Sequence, residues 1–158
     1  MPAPFRFDRR WTFPVTPADL WATVSRTREY PDWWNWLRDF DTDGAPEGLH
    51  EGASARCVIR APLPYALRFT VEVEQVVEAE LVDSRIRGDL EGPARLEIAP
   101  AGGGCTARLA WSLDLRDPVL RRFAVVGRPA MAWAHDRVVD VGVRQFEQRA
   151  LAGRDRGA

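Results

Sequence analysis

The chain has 158 residues, 46% hydrophobic and 28% charged, enough apolar material for one domain with a real core and too much for a disordered chain. Its 22 basic residues are all arginine, balanced by 23 acidic ones to a formal charge of -1 and interspersed with them, which argues against nucleic acid as the main partner. No apolar run approaches the roughly 18 residues needed to cross a bilayer, and the opening MPAPFRFDRRW lacks the apolar stretch of a signal peptide, so a cytoplasmic protein without stable membrane insertion is expected.

Residues 5–13, FRFDRRWTF, alternate with period two, which predicts a strand. Phe5, Phe7, Trp11 and Phe13 share one face, and Arg6, Asp8, Arg10 and Thr12 the other. A helix follows in PVTPADLWATVS, with Thr16 as N-cap, Pro17 at the first helical position and Asp19 near the positive end of the dipole. It ends by TREYP, because Pro31 lacks a donor and restricts Tyr30.

The next stretch, EYPDWWNWL, places Trp33, Trp34 and Trp36 within four positions as a short second helix or turn. Adjacent helical positions cannot all face one way, so at most two of these rings are expected to reach any common space. After the loop DTDGAPEGLHEG come strands at 54–60, 65–76, 81–87, 93–99 and 105–115, the middle pair joined by GDLEG and the last pair by PAGGGC. Tyr65, Leu67, Phe69, Val71 and Val73 alternate against Arg68, Thr70, Glu72 and Glu74, and Trp111 falls on the apolar face of the longest run. Arg85 and Arg87 share one face of their strand, read as the outer one; turned inward, they would favour an acidic or polyketone ligand. Cys57 and Cys105 lack paired spacing and read as small buried hydrophobes.

From Pro118 the period becomes 3.6 and holds to about Leu151. Met131, Ala134, His135, Val138, Val139, Val141, Gly142, Val143 and Phe146 fall on one side, and Asp136, Arg137, Asp140, Arg144, Glu147 and Gln148 on the other. Trp133 falls with the polar set, Asp136 is expected to point away from His135, and GRDRGA at 153–158 reads as a frayed tail. The order is strand, two short helices, about six strands and one long helix, which predicts an α+β fold with an antiparallel sheet and a helix lying against it across a possible cavity.

This pattern resembles the SRPBCC superfamily, the START-like or Bet v 1-like helix-grip proteins, and within it the bacterial polyketide cyclase/dehydrase-type members. VTPADLWATVSRTREYPDWWNWL resembles the opening strand-to-helix pair with its aPxxvWxxlsdxxxyPxW pattern. APLPYALRFTVEVEQVV and GDLEG resemble the middle strands, GGGCTARLAWSLDL the last strand, and WAHDRVVDVGVRQFEQ the closing helix. The resemblance covers roughly residues 5–151 and implies a single helix-grip domain over 1–158 (core 5–151), a curved sheet of six to seven strands wrapped around the C-terminal helix.

It also implies an internal cavity for a small hydrophobic, aromatic or polyketide-like ligand. The expected ligand contacts are His135, Met131, Val138, Val139, Gly142, Tyr65, Phe69, Trp111, Trp33, Trp34 and Trp36. The first hypothesis is a binder without chemistry of its own: a carrier, sensor or chaperone. The second is a cyclase/dehydratase (aromatase) in which His135 or Tyr65 assists proton transfer. The third is a protein-interaction module exposing its tryptophans. No cofactor is expected and, with only His50 and His135 as histidines, no metal. The G-x-S-x-G, Rossmann and phosphate-cradle signatures are absent.

Overall fold

A computed structural model of the chain describes residues 5–60 and 66–151. Strand β1 (Phe5–Phe13) leads into α1 (Pro17–Val24), a 3₁₀ turn (Thr27–Glu29) and the four-residue α2 (Tyr30–Trp33). Six strands follow: β2 (Leu37–Asp41), β3 (Ser54–Arg60), β4 (Ala66–Val77), β5 (Leu81–Gly88), β6 (Leu90–Ala101) and β7 (Gly104–Leu115). The chain closes with α3 (Pro118–Phe146) and a π turn (Glu147–Leu151).

The helix signals act as their chemistry predicts. Thr16 Oγ1 accepts from the Asp19 amide at 3.1 Å, with Pro17 starting α1, and Asp117 accepts from the Val119 amide at 2.8 Å, with Pro118 starting α3. Pro129 lies within α3 on its exposed side, where a missing donor disturbs least. Trp133 beside it is 61% exposed, in keeping with its place in the polar set.

The seven strands form one antiparallel sheet in the order β1-β7-β6-β5-β4-β3-β2. Strands β2 to β7 form a meander, and β1 returns to pair with β7, so β1 and β2 are the edges. Phe5 lies opposite Leu113, Phe7 opposite Trp111 and Trp11 opposite Ala107, which puts the aromatic face of β1 on the same side as that of β7. Register shifts in β2 and β4 bend the sheet. With α3 lying over its concave face, this is the helix-grip arrangement.

Several strand bounds shift by a residue from the sequence expectation, and the largest difference is around β6. GDLEG is a tighter corner than predicted, leaving only Asp89 between β5 and β6. Strand β6 is longer than 93–99, because Gly92 takes a φ of +152° and lets the ladder continue through the corner.

The main core lies at one end, where Phe13, Leu20, Trp21, Trp33 and Cys105 meet Phe146, Ala150 and Leu151. A smaller cluster of Leu37, Ala55 and Cys57 lies under the opposite edge of the sheet. Both cysteines are free and buried.

A Cβ on Gly92 would stand 2.0 Å from the Ser112 carbonyl oxygen. One on Gly103, whose φ is also positive, meets open space. Gly92→Ala is therefore expected to cost about 2–3 kcal/mol, against about 1 for Gly103→Ala, read as a larger drop in urea midpoint at unchanged m-value.

Candidate functional site

Between α3 and the concave face of the sheet lies a cavity of about 470 Å³. Packed interiors hold few voids larger than a water molecule, so a space of this size is a built feature. Its walls come from every layer: Phe5, Trp11 and Phe13 of β1, Leu20 and Val24 of α1, the inward faces of β3 to β7, and the inner stripe of α3. Among the described lining residues none carries a formal charge at neutral pH. Tyr30 and His135 are the only two with titratable groups.

The tryptophan stretch separates because only Trp33 is in α2; Trp34 is its extended C-cap and Trp36 lies in the turn beyond. Trp33 is 3% exposed and packs edge-on against Phe146, away from the cavity. Trp34 and Trp36 line the cavity and stack on each other at 5.4 Å between ring centroids. Trp34 Nε1 donates to the Gly142 carbonyl at 2.8 Å. Gln145 donates to Asn35 at 2.9 Å, and Arg149 donates to the Trp33 carbonyl at 3.0 Å. The whole turn is thereby tied to the C-terminal end of the chain's helical segment.

Gly142 has a packing reason of its own. A Cβ there would come within 3.2 Å of the Trp36 ring, so the ring occupies the place of a side chain. The tryptophans do not form a surface patch, since the large hydrophobics exposed among the described residues are Val77, Val119 and Trp133.

Tyr30, Trp34 and Trp36 also form a partition. On its far side lies a second apolar pocket of about 220 Å³, lined by Leu37, Phe40, Cys57 and the loop before β3. The Tyr30 hydroxyl donates to the Val24 carbonyl, and burial, followed by the neighbouring Cys57, raises its pKa far above the ordinary value. Burial pushes the Cys57 thiol up to about 12, so it is a packing group and not a nucleophile.

His135 stands at the other end of the cavity. Its ring meets Phe7 and Trp111 edge-on, at 5.0 and 5.2 Å between centroids, and these two stack on each other at 4.5 Å. The side chain keeps 30% of its surface, yet Nε2 is buried and has no partner in the protein. The indole N–H of Trp111 and that of Trp36 are buried and unpartnered as well. Three unmet polar atoms thus belong to residues that line one apolar cavity.

Asp136 corrects the expectation that it points away from His135. Its Oδ1 lies 3.5 Å from His135 Nδ1. The cause is Arg9, the one charged residue on the inward-facing register of β1. Its guanidinium binds Asp140 at 2.8 Å and stands 3.8 Å from Asp136, so that its charge favours the carboxylate on the β1 side of α3, beside the imidazole. The outer position of Arg85 and Arg87 agrees with the sequence reading: Arg85 pairs with Glu74, Arg87 is exposed, and Ile86 between them lines the cavity.

Of the other expected contacts, Phe69, Trp111, Val138, Val139 and Gly142 line the cavity. Tyr65 and the side chain of Met131 lie outside the described residues. Sequence reasoning did not single out Tyr30, Phe5 or Leu96 as cavity residues, although alternation placed Phe5 on the apolar face of its strand. Arg9 was missed because a lone charge on an apolar face carries no periodic signal.

Burial holds the His135 pKa below its ordinary 6.5; Asp136 pulls it up through hydrogen bonding and charge, and Arg9 pushes it down. The imidazole is therefore neutral at pH 7. The charged groups that act on it are Asp136 of α3 and Arg9 of β1, the latter paired with Asp140. Its NMR titration midpoint is expected below 6.5, and lower still in Asp136→Asn. As pH falls, the unfolded chain takes up this proton first, so the stability present above pH 6.5 is lost as pH drops through the folded midpoint. His135→Leu should flatten that part of the stability–pH curve.

No described helix is long and apolar enough to cross a membrane. Residues 4–150 match the family described as polyketide cyclase/dehydrase and lipid transport. No curated protein is significantly similar in sequence. Among solved structures, TTHA0849 from Thermus thermophilus superposes with a TM-score of 0.77 at 17% identity, covering 94% of this chain and 99% of that one. A START superfamily protein from Mycobacterium smegmatis gives 0.70 at 12% identity, covering 93% and 97%. Ara h 8.0201 gives 0.59 at 13% identity, covering 90% and 98%. At these identities the likeness is one of fold.

Proposed function

The chain belongs to the polyketide cyclase/dehydrase and lipid transport family, and on that premise we propose that it binds a small, mostly apolar molecule, aromatic or polyketide-like, between its sheet and α3. In this reading the protein works in the cytoplasm as a carrier, sensor or chaperone for its ligand. The observation that carries it is the 470 Å³ cavity with an apolar, aromatic-rich wall. The volume lies within the usual range for sites that hold drug-sized molecules. Trp11, Trp34, Trp36 and Trp111 bring flat faces that suit ring systems. With these arginines outward, the described lining residues include no cation, which weighs against an acidic ligand.

A cyclase/dehydratase is the second reading, supported by the neutral imidazole of His135 beside Asp136. That chemistry needs an acid and a base within reach of one ligand position. Among the described lining residues only His135 is free to move a proton, because the Tyr30 hydroxyl is committed to Val24. This balance favours binding over turnover. The protein-interaction reading has least support, since the clustered tryptophans face inward.

The test is a cavity-filling substitution. The parent protein is expected to bind N-phenyl-naphthylamine with micromolar affinity, seen as enhanced fluorescence. Val139→Trp, projecting from α3 into the space, should weaken this by about tenfold or more while shifting Tm by only a few degrees. Native mass spectrometry of protein purified from its own host should then show a stoichiometric apolar ligand. Unchanged probe binding by Val139→Trp would show that the probe sits elsewhere and defeat the reading.

A further inference from the structure

The partition of Tyr30, Trp34 and Trp36 has a second side. Behind it, the pocket of about 220 Å³ is bounded by the inward faces of β2 to β4 and by the loop between β2 and β3. Its room comes from short side chains. The inward register of β3 begins Ala55, Cys57, and the loop adds Ala45, Gly48 and Ala53. Ala55 lies opposite Val71 of β4, and Cys57 opposite Phe69. Branched and aromatic residues pack a strand face well and alanine packs it poorly, so a short residue stands beside a larger one along this floor.

The loop is held from outside the space. The Gly48 amide donates to the Thr27 hydroxyl at 3.3 Å, and the Arg28 amide to the Glu47 carboxylate at 3.2 Å. The Gly52 amide donates to the Val73 carbonyl at 2.9 Å. The loop thereby bridges from the 3₁₀ turn to β4. The dividing wall is fixed as well. The Tyr30 hydroxyl is bonded to the Val24 carbonyl and the Trp34 indole to the Gly142 carbonyl, and the Trp36 ring stacks on Trp34 and rests against Gly142. The two spaces are compartments with one aromatic wall in common.

Size and lining narrow the occupant. An apolar space of about 150 Å³ is enough to stay dry and take up benzene, whereas drug-sized ligands need about 300 Å³ or more. A pocket of 220 Å³ lies between and suits one ring with a small substituent. None of its described lining residues carries a formal charge, and five of them present aromatic rings: Tyr30, Trp34, Trp36, Phe40 and Phe69. We infer that the pocket beneath the β2–β3 loop is a second binding site, which takes an uncharged one-ring aromatic molecule separately from the ligand of the main cavity. The inference does not depend on what fills the main cavity.

Fluorobenzene, followed by fluorine NMR with N-phenyl-naphthylamine saturating the main cavity, tests this. The parent protein is expected to bind it with a Kd of about 1 mM or tighter. Ala55→Leu and Val71→Phe each place bulk on the floor of this pocket alone, since neither residue lines the main cavity. Each should weaken fluorobenzene by about tenfold or more and leave N-phenyl-naphthylamine affinity within about threefold. Should one variant fail to fold, the other decides. No fluorobenzene binding by the parent, binding that N-phenyl-naphthylamine abolishes, or binding that persists in the folded variants would overturn the second site and leave the main cavity reading standing. Failure of N-phenyl-naphthylamine to bind the parent would remove the main cavity reading alone. Loss of fluorobenzene binding in the variants would then still support the second site, and its persistence would overturn it.

Discussion

Helix α3 is held at a distance from the sheet it covers, and the rest of the structure depends on that spacing. At its C-terminal end the helix enters the core directly, with Phe146 against Phe13 and Trp33. One turn earlier it is held by the Trp34 indole bonded to the Gly142 carbonyl. Further back, Arg9 reaches across to Asp140 and Asp136. These anchors differ in weight. A buried aromatic contact stabilises by a few kcal/mol, a single hydrogen bond by about 1, and a half-exposed ion pair by about 0–1. The helix is thus fixed at one end by packing and located further back by charge, and the cavity is what lies between.

The tryptophan turn makes this geometry possible. A four-residue helix has little stability alone, and it persists because Trp33 is buried and because Trp34 donates to the C-terminal helical segment while Asn35 and the Trp33 carbonyl accept from it. In return it supplies the wall that divides the main cavity from the smaller pocket. Gly142 belongs to the same arrangement. A glycine in mid-helix costs about 1 kcal/mol relative to alanine, and here the Trp36 ring fills the place that a side chain would take.

The chemistry of the cavity follows from how little polarity it contains. An apolar wall gives affinity in proportion to the area it covers and discriminates poorly among ligands of similar size. Unmet polar atoms on the lining residues are few, each costly to leave without a partner in a low-dielectric space. The His135–Asp136–Arg9–Asp140 chain shows how the fold sets one of them. The Asp136 carboxylate stands 3.5 Å from one imidazole nitrogen and 3.8 Å from the edge-strand arginine, which pairs more closely with Asp140, and the second nitrogen is buried without a partner in the protein. Burial outweighs the carboxylate, so the ring stays neutral.

Local pattern determined a good deal of this by itself. Period-two alternation marked the strands and their inner residues, from Phe5 in β1 to Trp111 in β7. The Thr16–Pro17 and Asp117–Pro118 pairs marked where helices begin, and the 3.6 period of the last third marked the stripe from His135 to Phe146. The clustering implied that at most two of the three tryptophans could reach a common space if the segment were helical, whereas Trp34 and Trp36 stand after the end of α2. What only the tertiary structure decided are the relations between elements far apart in the chain: that Trp33 is the one packed away, that Gly142 receives the Trp36 ring, and that Arg9 pulls Asp136 back beside His135. Periodicity reports which way a side chain leaves its own backbone. It is silent about what the chain brings up to meet it from a distant part of the sequence.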